Sequence, residues 1–189
     1  MTQTTQEPAA LPTGTVTFLF TDIEGSTKLL QDLGAGYHAV LMEHRGLVGS
    51  AMTGHGGRIF GSEGDALFVV FADAASAAAA AADAQRALAE HVWPDGRSLR
   101  VRMGVHSGEV ALIGEDYVGL ALHTVARISA AGHGGQVLLS DAARSLVGGN
   151  LPAGVTLRDL GEHRLKDLAR PERLFELVIG GLEANFPAL

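Results

Sequence analysis

Two aspartates stand where apolar, strand-like runs meet turns. Asp22 directly follows the run at 15–21 (TVTFLFT), and Asp65 directly follows the turn at 62–64 (SEG). If the strands beside them are neighbours in a sheet, the two carboxylates converge. Carboxylate oxygens are the ligands that Mg²⁺ prefers, and two ions about 3.5–4 Å apart can activate an attacking oxygen and steady leaving phosphates. An Asp that caps a helix and an Asp that completes a turn would explain the same pair, so spacing alone leaves metal binding open.

A small-residue turn follows Asp22 closely. Gly25, Ser26 and Thr27 lead into a segment whose apolar residues have helical spacing. Free backbone N–H groups at a helix start, aided by the helix dipole, can bind phosphate oxygens. An ordinary helix start with Ser26 or Thr27 as the N-cap would explain the same residues. The Gly-Lys-Ser/Thr ending of a P-loop is absent, so that motif is excluded.

A third set of polar residues falls on a predicted helix at 117–131. Asp116, His123 and Arg127 are separated by seven and then four residues. On a helix this spacing places all three residues within about 20° of one stripe, which extends about 16 Å, comparable to a nucleotide laid lengthwise. The acid would then read a base edge while the guanidinium reaches a phosphate. A solvated helix face with Asp116 as its N-cap is the alternative.

The elements that position these residues follow from apolar periodicity. Strands are predicted at 15–21, 58–61, 65–71 and 99–106, and helices at 28–53 and 73–91. Further along, the pattern predicts a hairpin arm at 108–114, the helix at 117–131, a strand at 137–140, a helix at 141–147, and strands at 156–160 and 174–178 around a turn at 165–168. This order predicts an α+β sandwich of the ferredoxin-like (βαββαβ) kind with extra strands, in which helices cover a mostly antiparallel sheet.

Composition restricts the partners and the location. The formal net charge of −7 disfavours a nucleic acid partner, and the absence of cysteine excludes disulfides and thiolate metal sites. Residues 1–13 lack the basic and apolar blocks of an export signal, and no apolar stretch is long enough to span a bilayer. We therefore expect no membrane association and a cytoplasmic location.

Several motifs, in order, resemble the catalytic domain of class III nucleotidyl (adenylyl and guanylyl) cyclases. The matching segments are FTDIEGST at 20–27, GSEGDALFVVF at 61–71, RVRMGVHSGEV at 100–110 and DYVGLALHTVARI at 116–128. The likeness extends from about residue 14 to 178. It predicts a catalytic domain at 14–180, between a flexible N-terminal tail at 1–13 and a C-terminal tail at 181–189.

The resemblance implies a function for one group of residues. In such enzymes two divalent metal ions, Mg²⁺ or Mn²⁺, are held by residues that correspond here to Asp22 and Asp65, with the Ile23 carbonyl as an added ligand. Arg127 would stabilise charge on the reacting phosphate, and Lys166 would contact the triphosphate. The expected reaction converts ATP to 3′,5′-cyclic AMP and pyrophosphate, with GTP as a less favoured substrate.

The resemblance also implies a head-to-tail homodimer. In that family one subunit supplies the metal-binding aspartates and the other supplies the base-reading and charge-stabilising residues. A single chain would then hold two incomplete halves of a shared active site.

Three positions test the match residue by residue. Asp116 fits the aspartate that accepts from the adenine amino group. Gly61 stands where the family places a base-reading lysine, and His123 stands where it places an asparagine. These two departures leave open an alternative: a degenerate cyclase domain that binds nucleotide or a partner subunit without turnover. A diguanylate cyclase is disfavoured because its Gly-Gly-(Asp/Glu)-Glu-Phe signature is absent.

Overall fold

The structure is a computed structural model that describes residues 11–114 and 116–189. Its strands are β1 (Gly14–Ile23), β2 (Arg58–Glu63), β3 (Ala66–Phe71), β4 (Val101–Ile113), β5 (Asp116–Val118), β6 (Val137–Ser140), β7 (Val155–His163) and β8 (Glu172–Ile179). Its α-helices are α1 (Ser26–Leu33), α2 (Tyr37–Gly54), α3 (Ala74–Glu90), α4 (Leu120–Ala131) and α5 (Asp141–Val147). Short 3₁₀ turns lie at Gly34–Gly36 and Pro94–Gly96.

One mixed sheet organises the described chain. Its strand order is β2-β3-β1-β4-β6-β8-β7, and β5 pairs with the end of β4. The pairing of β4 with β6 is parallel, and the other pairings are antiparallel. The predicted α+β class and the mostly antiparallel sheet are confirmed. The first four strands and the helices between them follow the predicted βαββαβ order.

Helices cover both faces of the sheet. On one face α2, α3 and α5 form the largest core, in which the small alanines of α3 allow a close approach to strand residues such as Leu19 and Val101. On the other face α4 packs over a second core that includes the aromatic residues Phe18, Phe20 and Tyr117. Because side chains alternate along β1, successive residues enter different cores. Asp22 shares its face with Phe20, on the α4 side.

The closest contact between α4 and the sheet is at Gly104 of β4. A Cβ atom placed there would lie 2.5 Å from the Ser129 backbone nitrogen and 2.9 Å from the Val125 carbonyl oxygen. Only glycine therefore allows the helix to rest on the strand at this point. This contact places the C-terminal half of α4 beside the end of β1.

Several predicted element boundaries differ from the structure, and Asp22, predicted to follow the first strand, lies inside β1. The helix predicted at 28–53 is interrupted at 34–36, where Gly34 has a φ of +52°. The strand at 99–106 and the arm at 108–114 are one strand, β4. The helix predicted at 117–131 begins only at Leu120, because 116–118 pairs with β4 and Gly119 follows with a φ of +153°. Asp65, predicted as the first residue of a strand, lies in the β2–β3 turn.

The described parts of both predicted tails lie against the domain. The Tyr117 hydroxyl donates to the Pro12 carbonyl at 2.7 Å, Phe186 stacks on His133, and Leu189 packs against a small core beside α4. Residues 1–10 of the predicted N-terminal tail lie outside the described residues, and the domain boundaries stay a prediction. Within 11–114 and 116–189, no helix combines the length and apolar character needed to cross a bilayer.

Candidate active site

The structure brings Asp22 and Asp65 together. Antiparallel pairing of β1 with β3 places the end of β1 beside the turn that joins β2 to β3. The Ile23 backbone N–H donates to Asp65 Oδ2 at 2.6 Å. The carboxylate of Asp65 is therefore held against the peptide that follows Asp22, so both acids lie at the same end of the sheet strands.

Arg102 is a member of this site that sequence reasoning missed. It lies directly opposite Asp22 in the β1–β4 pairing. Its Nε donates to Asp22 Oδ1 at 3.1 Å, and its Nη2 donates to Asp22 Oδ2. Ser129 Oγ of α4 also lies 3.4 Å from Asp22 Oδ1. The signal was present in the RVR run of a predicted strand, but only the register between the strands shows which arginine faces the acid.

A small cleft adjoins Asp22 between the sheet and α4. Its volume is about 150 Å³, and its lining residues are Phe20, Thr21, Asp22, Ala66, Phe68, Ala126, Ser129 and Ala130. Most of the lining is apolar or small. Asp22 is the one charged residue among the described residues that line the cleft.

The turn after Asp22 leaves the helix start open. Gly25 is the N-cap of α1, with a φ of +69°, and no side chain caps the helix. Ser26 and Thr27 are therefore the first helical residues, and the alternative in which one of them is the N-cap is wrong. Glu24 anchors the turn, since its Oε1 accepts the Gly134 N–H at 3.0 Å. A helix N-terminus without a side-chain cap suits an incoming phosphate.

Helix α2 supports the turn that carries Asp65. Arg45 Nη2 donates to the Gly64 carbonyl at 2.5 Å. His44 is fully buried, and neither ring nitrogen has a partner among the described residues. Burial lowers the pKa of His44 to about 4, with the charge of Asp65 acting in the opposite direction. Burial, followed by the charge of Asp65, raises the pKa of Tyr37. A neutral histidine therefore lies behind the acidic turn.

The remaining predicted residues form a separate group. Asp116 is exposed on β5, so it is not on the helix, and the predicted three-residue stripe is wrong for it. His123 and Arg127 do share α4, one turn apart, with His123 exposed. Arg127 Nη2 donates to Asp167 Oδ2 at 2.6 Å, and Lys166 is the exposed neighbour of that aspartate.

The two groups lie on different faces of α4. Residues 127 and 129 are two positions apart, which on a helix is about 200°. Ser129 faces Asp22, whereas the guanidinium of Arg127 is held by Asp167. A ligand on Asp22 and Asp65 is thus not enclosed by Arg127 of the same chain in this arrangement.

The donor set fits Mg²⁺ or Mn²⁺, which favour oxygen ligands, better than a zinc-type cage of three or four protein side chains. Among the described residues, no three His, Asp or Glu side chains cluster as metal ligands. Mg²⁺ in nucleotide sites is commonly held by one or two carboxylates together with substrate phosphates. Two carboxylates beside an uncapped helix start match that pattern.

Comparison with known proteins shows the family of this chain. The model of the adenylate and guanylate cyclase catalytic domain matches residues 9–175. An uncharacterized protein of Mycobacterium tuberculosis is 41% identical over 180 residues, which cover 94% of this chain and 61% of that protein. This chain therefore spans about three fifths of that relative. An adenylate cyclase of Lachancea kluyveri is 33% identical over 160 residues, covering 71% of this chain and 9% of that enzyme.

Solved structures show the same fold. An adenylate cyclase structure from Trypanosoma brucei, described in its monomeric state, superposes with a TM-score of 0.82 at 23% identity, covering 94% of this chain and 93% of that one. At this identity the likeness concerns the fold alone. With the family model matching most of the sequence, the chain belongs to the class III adenylate and guanylate cyclase catalytic domains.

Proposed function

We propose that this domain converts ATP to 3′,5′-cyclic AMP and pyrophosphate at sites shared between two copies of the chain. The observation that carries the proposal is the Asp22–Asp65 pair, joined through the Ile23 amide at 2.6 Å, in a member of the cyclase family. Two divalent ions on these carboxylates would lower the pKa of the ribose 3′-hydroxyl and neutralise phosphate charge.

The residues of this chain position the substrate. Asp22 and Asp65 hold the ions, with the Ile23 carbonyl as a further ligand. The open amides at Gly25–Thr27 receive phosphate oxygens, because they point outward from the start of α1 without a side-chain cap. Arg102, beside Asp22, adds a positive charge at the same end of the central strands.

The exposed group acts on the substrate bound by the other copy. Arg127 offsets charge that develops on the reacting phosphate, Lys166 contacts the triphosphate, and His123 donates a hydrogen bond in the place of the family asparagine. Exposed apolar side chains lie near Asp116, at the β4–β5 pair and the start of α4: Ile113 is 67% exposed, Val118 47% and Leu120 71%. Burial of these side chains against a second copy would favour the head-to-tail homodimer.

Asp116 favours adenine over guanine. A carboxylate accepts from the exocyclic amine of adenine and repels the O6 oxygen of guanine. Gly61 offers no side chain to support that choice, and a Cβ there would lie 3.1 Å from Phe68 Cδ2. The preference for ATP therefore depends on Asp116.

The second candidate function is nucleotide or partner binding without turnover. It is favoured by Gly61 and His123, which depart from the pattern of active family members. The two candidates differ in a direct assay, in which the purified chain is incubated with ATP or GTP and with Mn²⁺ or Mg²⁺, and cyclic product is measured by chromatography. Absence of product under all four conditions would favour the binding function.

The Asp65→Ala variant tests the catalytic proposal. We expect it to abolish cyclic nucleotide formation, because it removes one of two metal carboxylates. The matched control is Asp73→Ala, which removes the N-cap of α3, where Asp73 accepts the Ser76 N–H at 2.8 Å away from the site. Its activity should follow its folded fraction. Equal product from Asp65→Ala and the native chain would contradict the proposal.

A further inference from the structure

Arg102 occupies the carboxylate that the proposed metal ion needs. Both oxygens of Asp22 accept from its guanidinium, and Ser129 Oγ lies within 3.4 Å of Oδ1. The two side chains are only partly exposed, at 26% for Arg102 and 29% for Asp22. Water therefore screens this pair less than a surface pair.

The backbone cannot withdraw the arginine. Arg102 lies in β4, which pairs with β1 on one side and with β6 on the other. Since both neighbours hold the strand, Arg102 can leave Asp22 only by rotation of its side chain. Guanidinium stays protonated at any physiological pH, so the charge cannot be lost instead.

A divalent cation and the guanidinium compete for the same lone pairs. Without an added anion, placing both cations beside Asp22 is electrostatically unfavourable. We propose that Arg102 is a built-in counter-cation that holds Asp22 in the nucleotide-free chain and suppresses binding of metal alone. The inference rests on the proposed function, since it assumes that Asp22 and Asp65 hold the ion.

The consequence is a coupling between metal and nucleotide. An anion that arrives with the metal compensates the added charge, so metal and nucleotide bind together more tightly than either alone. By linkage, the gain is the same in whichever order they bind. Arg102 thus limits the time that a metal ion occupies the carboxylates without substrate.

The test measures Mn²⁺ binding in the absence of nucleotide, by the electron paramagnetic resonance signal of free Mn²⁺. We expect Arg102→Gln to bind Mn²⁺ at least about tenfold more tightly than the native chain, because a nearby positive charge is gone. Arg102→Lys, which keeps the charge but loses the paired hydrogen bonds, should lie between them. If Arg102→Gln does not fold, as judged by circular dichroism, the test is whether Arg102→Lys binds Mn²⁺ more tightly than the native chain.

Two controls locate the effect. Arg173→Gln removes another cross-strand pair, with Asp159, far from the site in the β7–β8 ladder, and should match the native chain. Adding Asp65→Ala to Arg102→Gln should remove the gained affinity. Equal Mn²⁺ affinity in the native chain, Arg102→Gln and Arg102→Lys would overturn the inference, as would a gain that survives Asp65→Ala.

Product formation and Mn²⁺ affinity, measured together, distinguish failure of the counter-cation role from failure of the proposed function. If the native chain makes cyclic product and Asp65→Ala abolishes it, while the Arg102 variants leave Mn²⁺ affinity unchanged, only the counter-cation role fails. If Asp65→Ala changes neither product formation nor metal affinity, the proposed function fails and the inference fails with it.

Discussion

The two halves of the candidate site are built in different ways. The proposed metal half lies at the end of β1 and is held by contacts within the chain: Ile23 to Asp65, Arg102 to Asp22 and Arg45 to Gly64. The base-reading half consists of exposed side chains on β5, α4 and the turn at 166–167. The charged groups of the first half are paired within a single chain, whereas those of the second half are mostly exposed.

The difference teaches where preorganisation comes from. In the metal half, the register between the central strands β1 and β4 determines which side chains lie side by side. The backbone hydrogen bonds of these strands therefore fix the relative positions of the charged groups. In the other half, Arg127 is held by an exposed carboxylate, Asp167, which is an interaction of small energy. In the proposed dimer, that contact would be exchanged for one to a phosphate bound by the other subunit.

The largest expected effect concerns activity when the metal half and the base-reading half are inactivated in different chains. Arg127→Ala should lower kcat by about 10²–10³-fold, because a charge that stabilises the transition state is lost. Mixing Arg127→Ala with Asp65→Ala should restore activity to about a quarter of the native value. When the two variants are present in equal amounts, half of the dimers contain one chain of each. Such a dimer has one intact site, with Asp65 from one chain and Arg127 from the other, and one site that lacks both. The measurement is cyclic product at increasing total protein concentration.

The control for this experiment is Asp167→Asn. It removes the partner of Arg127 within the chain, and asparagine tolerates the φ of +63° at that position. Activity should be retained. No recovery in the mixture, with both variants folded, would mean that each chain forms its site alone.

The next effect concerns the buried histidine behind the metal half. His44 has a pKa of about 4 in the folded chain, below the ordinary value near 6.5 of an unfolded chain. The unfolded state therefore binds more protons between these values, so stability is complete above pH 6.5 and is lost as the pH falls toward 4. From pH 7.5 to 4.5 this residue should contribute a loss of about 2–3 kcal/mol.

His44→Leu should remove that part of the pH dependence, as measured by urea unfolding at pH 7.5 and 4.5. His106, whose pKa is also lowered to about 4 by burial, should keep part of the dependence in the variant. The matched control is Met52→Leu, which changes a buried residue of the same helix as His44 that carries no titratable group and should unfold with the native pH dependence. If both variants retain the full native loss, His44 is not the buried neutral group described above.

The smallest effect concerns base choice in the exposed half. Asp116→Asn replaces an acceptor with a side chain that both donates and accepts, so guanine is no longer repelled. We expect the ratio of kcat/KM for ATP to that for GTP to fall about tenfold, equivalent to about 1.4 kcal/mol. Glu109→Gln, an exposed acid on β4, is the matched control and should leave the ratio unchanged. An unchanged ratio in Asp116→Asn would separate Asp116 from base reading.

Sequence patterns predicted most of the elements and the residues at their ends. The apolar run before Asp22 and the turn before Asp65 placed both acids at the ends of predicted strands but left open whether those strands are neighbours, and the structure pairs β1 with β3. Boundaries were less certain near glycines. The break at Gly34 and the strand at 116–118 depend on backbone angles and long-range pairing that a local periodicity does not contain.

The sequence by itself determined the fold class, the family and the types of residue available for the chemistry, because apolar periodicity and ordered motifs are local properties. Only the tertiary structure decided which groups meet. The β1–β4 register places Arg102 on Asp22, packing of α4 on Gly104 turns Ser129 toward the acid, and Asp116 leaves the helix for β5. These contacts join residues 25 to 107 positions apart or depend on strand pairing, and distance along the chain carries no information about them.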